Sequence, residues 1–235
     1  MDILKKEEWE KSYSRYENFI FYPKEEVVKF LNRFIRKRID VDKFIDILMP
    51  NSRENALRAL DFGCGIGAQT ILMHEFGLEA YGIDISEIAI NMARKLAKHK
   101  GYKQMENRFI VYDGGQIPFP DNFFDLCISE GVLDSMKFEL AKNLIKEIDR
   151  VTKNIVFLSL ISGDDHKHYR EFAGDEVVED IHEKGTIQSY YNFTKILELI
   201  KETNFEIEWC RLVQEIGVNH RYLQGRYYIV LRKLR

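Results

Sequence analysis

From about Asn55 to Leu160 the sequence alternates short apolar runs with segments of helical period, and this alternation restricts the fold more than any other feature. Chains of this kind lay their strands parallel and return across the sheet through helices. Leu57 to Phe62 reads as the first strand, and Gly67 to Phe76 as the helix behind it, with Ile71, Leu72 and Phe76 inward and Gly77 ending it. Glu79 to Ile83 reads as a second strand. Ser86 then caps a helix that carries Ile88, Ala89, Met92, Ala93 and Leu96 at helical spacing and stops at Gly101. Arg108 to Tyr112, Phe124 to Ser129 and Asn154 to Leu160 read as three further strands, with a helix from about Met136 to Val151 before the last. Phe193 to Lys201 reads as helical, and Ile207 to Val213 with Arg226 to Leu231 as an antiparallel hairpin closing the sheet edge.

Two segments differ from this core and divide the chain into a helical N-terminal part, residues 1–54, and a main domain, residues 55–235, with an insertion at 161–188. The first holds an aromatic stretch from Trp9 to Tyr22, then Pro23 opening a helix with Val27, Val28, Leu31, Phe34 and Ile35 inward. The second is polar and contains His166, His168 and His182. With 35 Lys and Arg against 38 Asp and Glu, the net charge of −3 supplies no global field for nucleic acid or anionic membrane. The basic stretch Lys29, Arg33, Arg36, Lys37 and Arg38 is the one local footprint for RNA, and its interleaved apolar residues read first as an amphipathic helix with a solvated charged face. No run reaches the roughly 18 to 20 apolar residues of a membrane span, and the first residues lack an apolar signal core, so a cytoplasmic location is expected. Cys64, Cys127 and Cys210 lie too far apart in sequence for a disulfide framework or a zinc knuckle and read as small buried hydrophobes.

The segment Asp61-Phe62-Gly63-Cys64-Gly65-Ile66-Gly67-Ala68 leaves a strand and opens a helix, where an open parallel sheet binds nucleotide-like ligands. Its alternate glycines let a ligand approach the backbone, although a tight bend alone would also use them. Asp84 ends the second strand 21 residues after Gly63, close to the roughly 20-residue offset at which a carboxylate meets ribose hydroxyls. Gly63, Gly65 and Ala68 also satisfy the dinucleotide pattern of an NAD or FAD enzyme. Asp61 argues against that reading, because an acid there would sit beside a pyrophosphate, whereas it suits a cationic ligand.

On these residues the chain resembles the class I S-adenosylmethionine-dependent methyltransferases. Asp61 to Gly67 is similar to their first motif, acid-x-G-x-G-x-G, and Gly82-Ile83-Asp84-Ile85-Ser86 to their second acidic strand end. Asp113-Gly114-Gly115-Gln116-Ile117-Pro118-Phe119-Pro120-Asp121-Asn122-Phe123-Phe124-Asp125-Leu126-Cys127-Ile128-Ser129 is similar to a third, more specific stretch. The resemblance covers Leu57 to Leu160 and implies an α/β fold, a seven-stranded mostly parallel sheet with helices on both faces in the Rossmann-like manner. It also implies S-adenosylmethionine as methyl donor and S-adenosylhomocysteine as product. The donor loop, Gly63, Cys64, Gly65 and Gly67, would shape the bed for the methionine moiety, with Asp61 acting near its amino group. Asp84 would hold the ribose, Ile85 would pack on the adenine, Asp113 with the Gly114 backbone would read its amino edge, and Glu130 would pass the methionine end. The alternative for Asp113, ranked behind adenine recognition, is an Asx turn before Gly-Gly.

A hydroxyl acceptor would need a base, for which Asp134, Glu130, His166, His168 and His182 are the candidates; for Asp134 a cap of the helix that follows ranks ahead of catalysis. Asp164-Asp165-His166-Lys167-His168 reads as a solvated loop or a wall of the acceptor pocket before it reads as a metal site, so no metal is expected. Tyr13, Tyr16 and Tyr190, with Trp9, are placed at that pocket, although Trp9 and Tyr13 at one helical turn would also suit simple packing. The expected function is methyl transfer to an oxygen or nitrogen of a small molecule, by in-line displacement. A tRNA or protein methyltransferase and a non-catalytic donor-binding subunit are the rival readings; the sequence does not fix the oligomeric state.

Overall fold

A computed structural model of the chain describes residues 5–49, 56–164, 167–169, 171–218 and 223–234. Asn55 and His166, both named above, lie outside the described residues. Helix α1 (Lys6–Ser14) leads, through the aromatic stretch, to α2 (Glu25–Phe30), which runs into a π-helical turn (Leu31–Ile35) and then a small hairpin, β1 (Arg36–Arg38) and β2 (Phe44–Asp46). The core follows as β3 (Arg58–Phe62), α3 (Ala68–Glu75), β4 (Glu79–Asp84), α4 (Glu87–His99), β5 (Phe109–Val111), β6 (Phe124–Glu130), α5 (Phe138–Val151) and β7 (Thr152–Ser162). The insertion forms β8 (Asp175–Val177) and β9 (Ile187–Ser189), and α6 (Phe193–Ile200), β10 (Phe205–Ile216) and β11 (Leu223–Lys233) close the chain.

The main sheet has seven strands in the order β10-β11-β7-β6-β3-β4-β5. The five from β5 to β7 run parallel, while β11 lies antiparallel between β7 and β10. The α/β expectation therefore holds, including the hairpin at the edge. Because β4 and β5 extend from one side of β3 and β6 and β7 from the other, the strand order reverses between β3 and β6, and a crevice opens there at the carboxyl ends.

Period-2 alternation along the central strands feeds two cores. Leu60, Cys127, Val156 and Leu158 point into one with Leu144, Ile148, Ile196 and Leu199 of α5 and α6. Ala59, Leu126, Ile128, Ile155 and Phe157 point into the other with Met73, Val27, Phe30, Leu31 and Ile35. The second N-terminal helix is thus a layer of the main core, with Phe30 stacked on Phe157 at 5.0 Å between ring centroids. Pro23 does not open it; the helix starts at Glu25 after an extended Lys24. The basic stretch does not form one solvated helical face either. Arg36 pairs with Asp46 at 2.5 Å and donates to the carbonyls of Phe76 and Gly77, and Arg33 lies over Phe34 and Trp209.

The insertion is fastened by Lys195, whose ammonium lies within 3.0 Å of Asp175 Oδ1, Ser189 Oγ and the carbonyls of Ala173 and Tyr190. Asp175 Oδ2 in turn accepts from the Phe138 amide at the start of α5. The cap of that helix comes from 37 residues downstream, and Asp134, which could have capped it, is engaged elsewhere. Replacing Lys195 with Met leaves those acceptors without their cation; we expect a loss of about 2 kcal/mol and a fall in Tm of roughly 4–8 °C, read by thermal unfolding.

Candidate functional site

Three strand ends meet at the reversal point, and each contributes a carboxyl group. Asp61, at the end of β3, is buried and accepts from Thr70 Oγ1 at 2.6 Å; burial pushes its carboxyl up to about 7, against the pull of that hydroxyl. Asp84 closes β4, with Oδ2 accepting from the Gly65 amide at 2.8 Å and Oδ1 from the Ser86 amide at 2.9 Å; burial pushes it up to about 6 against those two bonds. Both oxygens are thus aimed by backbone, and each keeps a lone pair for a ligand hydroxyl. Glu130, at the end of β6, has Ser159 Oγ at 3.4 Å.

The loop between β3 and α3 is built for close approach. Gly63 has φ +73°, and a Cβ there would lie 2.4 Å from the Val132 side chain; at Gly65, φ +52°, it would lie 2.9 Å from Tyr13 Oη. Both glycines line a cavity of about 280 Å³. Asp61, Gly63, Cys64, Gly65, Asp84, Ile85 and Glu130 all line it. Tyr112 and Val132 line it as well, without having been singled out in the sequence.

The remaining walls come from the rest of the chain. Trp9 and Tyr13 of α1 contribute, followed by Asn18 and Ile20, then Glu183 and Gln188 of the insertion, and Arg226 of β11. Helix α1 is held over the crevice by Glu10, whose carboxylate accepts from the Glu87 amide at 2.7 Å and from Ser86 Oγ at 2.9 Å, at the N-terminus of α4. Glu183 has a left-handed φ of +59°, and its amide donates to Glu17 at 3.0 Å, so the insertion and the N-terminal segment meet beside the cavity. Asp134 also lines it and is buried; its Oδ2 accepts from the Ile161 amide at 2.7 Å and from Arg226 at 3.0 Å. Burial raises the Asp134 carboxyl although Arg226 opposes the shift.

Other candidates are placed elsewhere. Asp113 is exposed and forms the Asx turn, accepting from the Gly115 amide at 2.9 Å; neither it nor Gly114 lines the cavity. Gly67 also lies off the cavity lining, with φ +85° at the start of α3. Tyr16 is exposed and packs its edge on Phe19. Tyr190 packs with His168 and Phe172, outside the lining. His168 is stacked on Phe172 at 4.1 Å with Nε2 3.0 Å from Glu176, and His182 is largely exposed, so neither imidazole reaches the cavity. Among the described residues, no cluster of His, Cys, Asp and Glu is arranged to hold a metal ion, and no helix is long and apolar enough to cross a membrane. Glu183 and Arg226 were missed because their partners lie far away in sequence, 166 residues in one case and 92 in the other.

The glycine loop and the strand-end acids thus lie together at the reversal point of an open α/β sheet. Residues 60–158 match the family described as a methyltransferase domain. A ubiquinone biosynthesis O-methyltransferase of Leptothrix cholodnii is 24% identical over 176 residues, 74% of this chain and 69% of that one. An uncharacterized protein of Haemophilus influenzae is 29% identical over 117 residues; the match covers 47% of this chain and 45% of the relative. The crystal structure of an S-adenosylmethionine-dependent methyltransferase from Methanosarcina mazei shares the fold, with a TM-score of 0.62 and 23% identity, over 78% of this chain and 95% of that one.

Two outcomes follow from the acids. Asp84→Ala is expected to weaken S-adenosylhomocysteine binding by about 1–3 kcal/mol while the fold persists, measured by calorimetry. Asp61 and Asp84 titrate higher folded than unfolded, so the stability tied to their neutral forms is complete below about pH 4 and is lost as the pH rises through about 6 and 7. In the ligand-free protein, Asp61→Asn should therefore flatten the decline of unfolding free energy between pH 5 and 8; urea titrations at several pH values read this directly.

Proposed function

We propose that the protein transfers a methyl group from S-adenosylmethionine to an oxygen or nitrogen atom of a small molecule. The observation that carries this is the roofed cavity itself. One wall is the glycine loop with the backbone-anchored Asp84, and the opposite wall is drawn from α1, the insertion and β11. A roof fastened by Glu10 suits an acceptor that is enclosed, and small-molecule sites are concave with a few placed polar groups.

The Gly63 and Gly65 backbone, bare of side chains at the cavity wall, and the Asp84 oxygens fit the donor's amino acid and ribose ends. When bound, the donor supplies an electrophilic methyl on a sulfonium, displaced in line by the acceptor. The chain's own work is to hold the acceptor at attack distance and to keep water out. Trp9, Tyr13 and Val132 supply the apolar cover, and Glu130, Asp134 and Glu183 are the groups able to take a proton at the cavity.

S-adenosylhomocysteine is expected to raise the Tm while NAD and NADP leave it unchanged. Incubating the protein with a metabolite extract and isotopically labelled donor, followed by mass detection, should give a labelled small molecule and S-adenosylhomocysteine. Stabilisation by NAD without S-adenosylhomocysteine would refute the assignment.

A further inference from the structure

Charge is unevenly distributed around the cavity. Five carboxyl side chains line it, Asp61, Asp84, Glu130, Asp134 and Glu183, against two cations, Lys24 and Arg226. Arg226 is already committed to Asp134 at 3.0 Å, and Lys24 is exposed at the rim. The Nε2 of the largely exposed His182 lies 3.7 Å from Glu183 Oε1. Glu130 has a serine hydroxyl at 3.4 Å. Carboxyl groups outnumber cations around the cavity, and Glu130 at the end of β6, Asp134 in the loop after it and Glu183 of the insertion are the ones outside the glycine-loop side.

A second observation is independent of the count. Asp134 is 1% exposed, and its Oδ1 is buried without a hydrogen-bond partner, although the residue lines the cavity. Buried carboxylate oxygens are normally satisfied, so an open one on a residue that lines a cavity has acceptor capacity to offer a donor on the ligand. Burial also holds the Glu183 carboxyl above its ordinary range, as expected of an acid without a strong cation beside it.

We propose that the methyl acceptor is a cationic amine, received as an ammonium by the Glu183, Asp134 and Glu130 wall and methylated on nitrogen; this rests on the methyltransferase reading above. The ammonium first gives one proton to a carboxylate of the wall, since a protonated nitrogen has no lone pair. The freed lone pair then forms the C–N bond as the C–S bond breaks with its electron pair remaining on sulfur. The sulfonium becomes a neutral thioether, and the positive charge passes to the product nitrogen.

The test uses the full chain, donor carrying a CD3 group, and the small-molecule fraction of a cell extract, separated afterwards on a cation-exchange resin at pH 3. The labelled product is expected in the retained fraction with the CD3 group on nitrogen. Labelled product in the unretained neutral or anionic fractions, or with the label on oxygen, overturns the amine assignment and leaves methyl transfer standing. No labelled product in any fraction overturns methyl transfer and this proposal together. With the retained product's precursor as substrate, Glu183→Gln should lower kcat/KM by about 10–100-fold, mainly through KM, with S-adenosylhomocysteine affinity unchanged. Unaltered kcat/KM in that variant would remove Glu183 from the acceptor wall.

Discussion

The buried carboxylate of Asp134 joins four parts of the chain that share no local sequence. Its Oδ2 takes the Ile161 amide of β7 and the Arg226 guanidinium of β11, and its main-chain carbonyl takes the Ser189 amide and the Gln188 side chain of β9. Removing the Arg226 guanidinium would leave the buried carboxylate without its cation, a loss of several kcal/mol in comparable pairs. The loop after β6, the end of β7, the insertion and the closing hairpin therefore hold one another in place. The cavity wall is a product of that mutual restraint.

The two sides of the cavity are built by different physics. The glycine-loop side depends on strand ends, positive-φ glycines and backbone amides aimed at Asp84, all set by a rigid parallel sheet. Opposite it, side chains are carried by a helix, a short two-stranded insertion and an edge hairpin, held by the Glu10, Lys195 and Arg226 contacts. Side chains carried on such appended elements can change without disturbing the sheet.

What the sequence made legible was what local periodicity encodes. Ser86 does cap α4, accepting from the Ala89 amide at 3.1 Å, and the strands, helices and closing hairpin fall within a few residues of their expected places. Asp61, the loop glycines 63 and 65, Asp84 and Glu130 converge on one cavity because each ends or follows a strand on the same side of the sheet. Less was legible where partners are remote. The helix after Asp134 is capped by Asp175, His168 and His182 turn to Glu176 and Glu183, and β1 with β2 and β8 with β9 are three-residue strands too short to show a period. Asp113 obeyed the local rule of an Asx turn.

The insertion of β11 between β7 and β10 has a consequence for the order in which the molecule assembles. Parallel pairing of β3, β4 and β6 needs only chain up to residue 130, but Arg226 reaches Asp134 across 92 residues. Long closures of this kind are made late, after nearer contacts have restricted the chain. A nascent chain can thus hold the glycine-loop half of its crevice before the opposite wall exists. The cavity closes on that side only when the final hairpin docks.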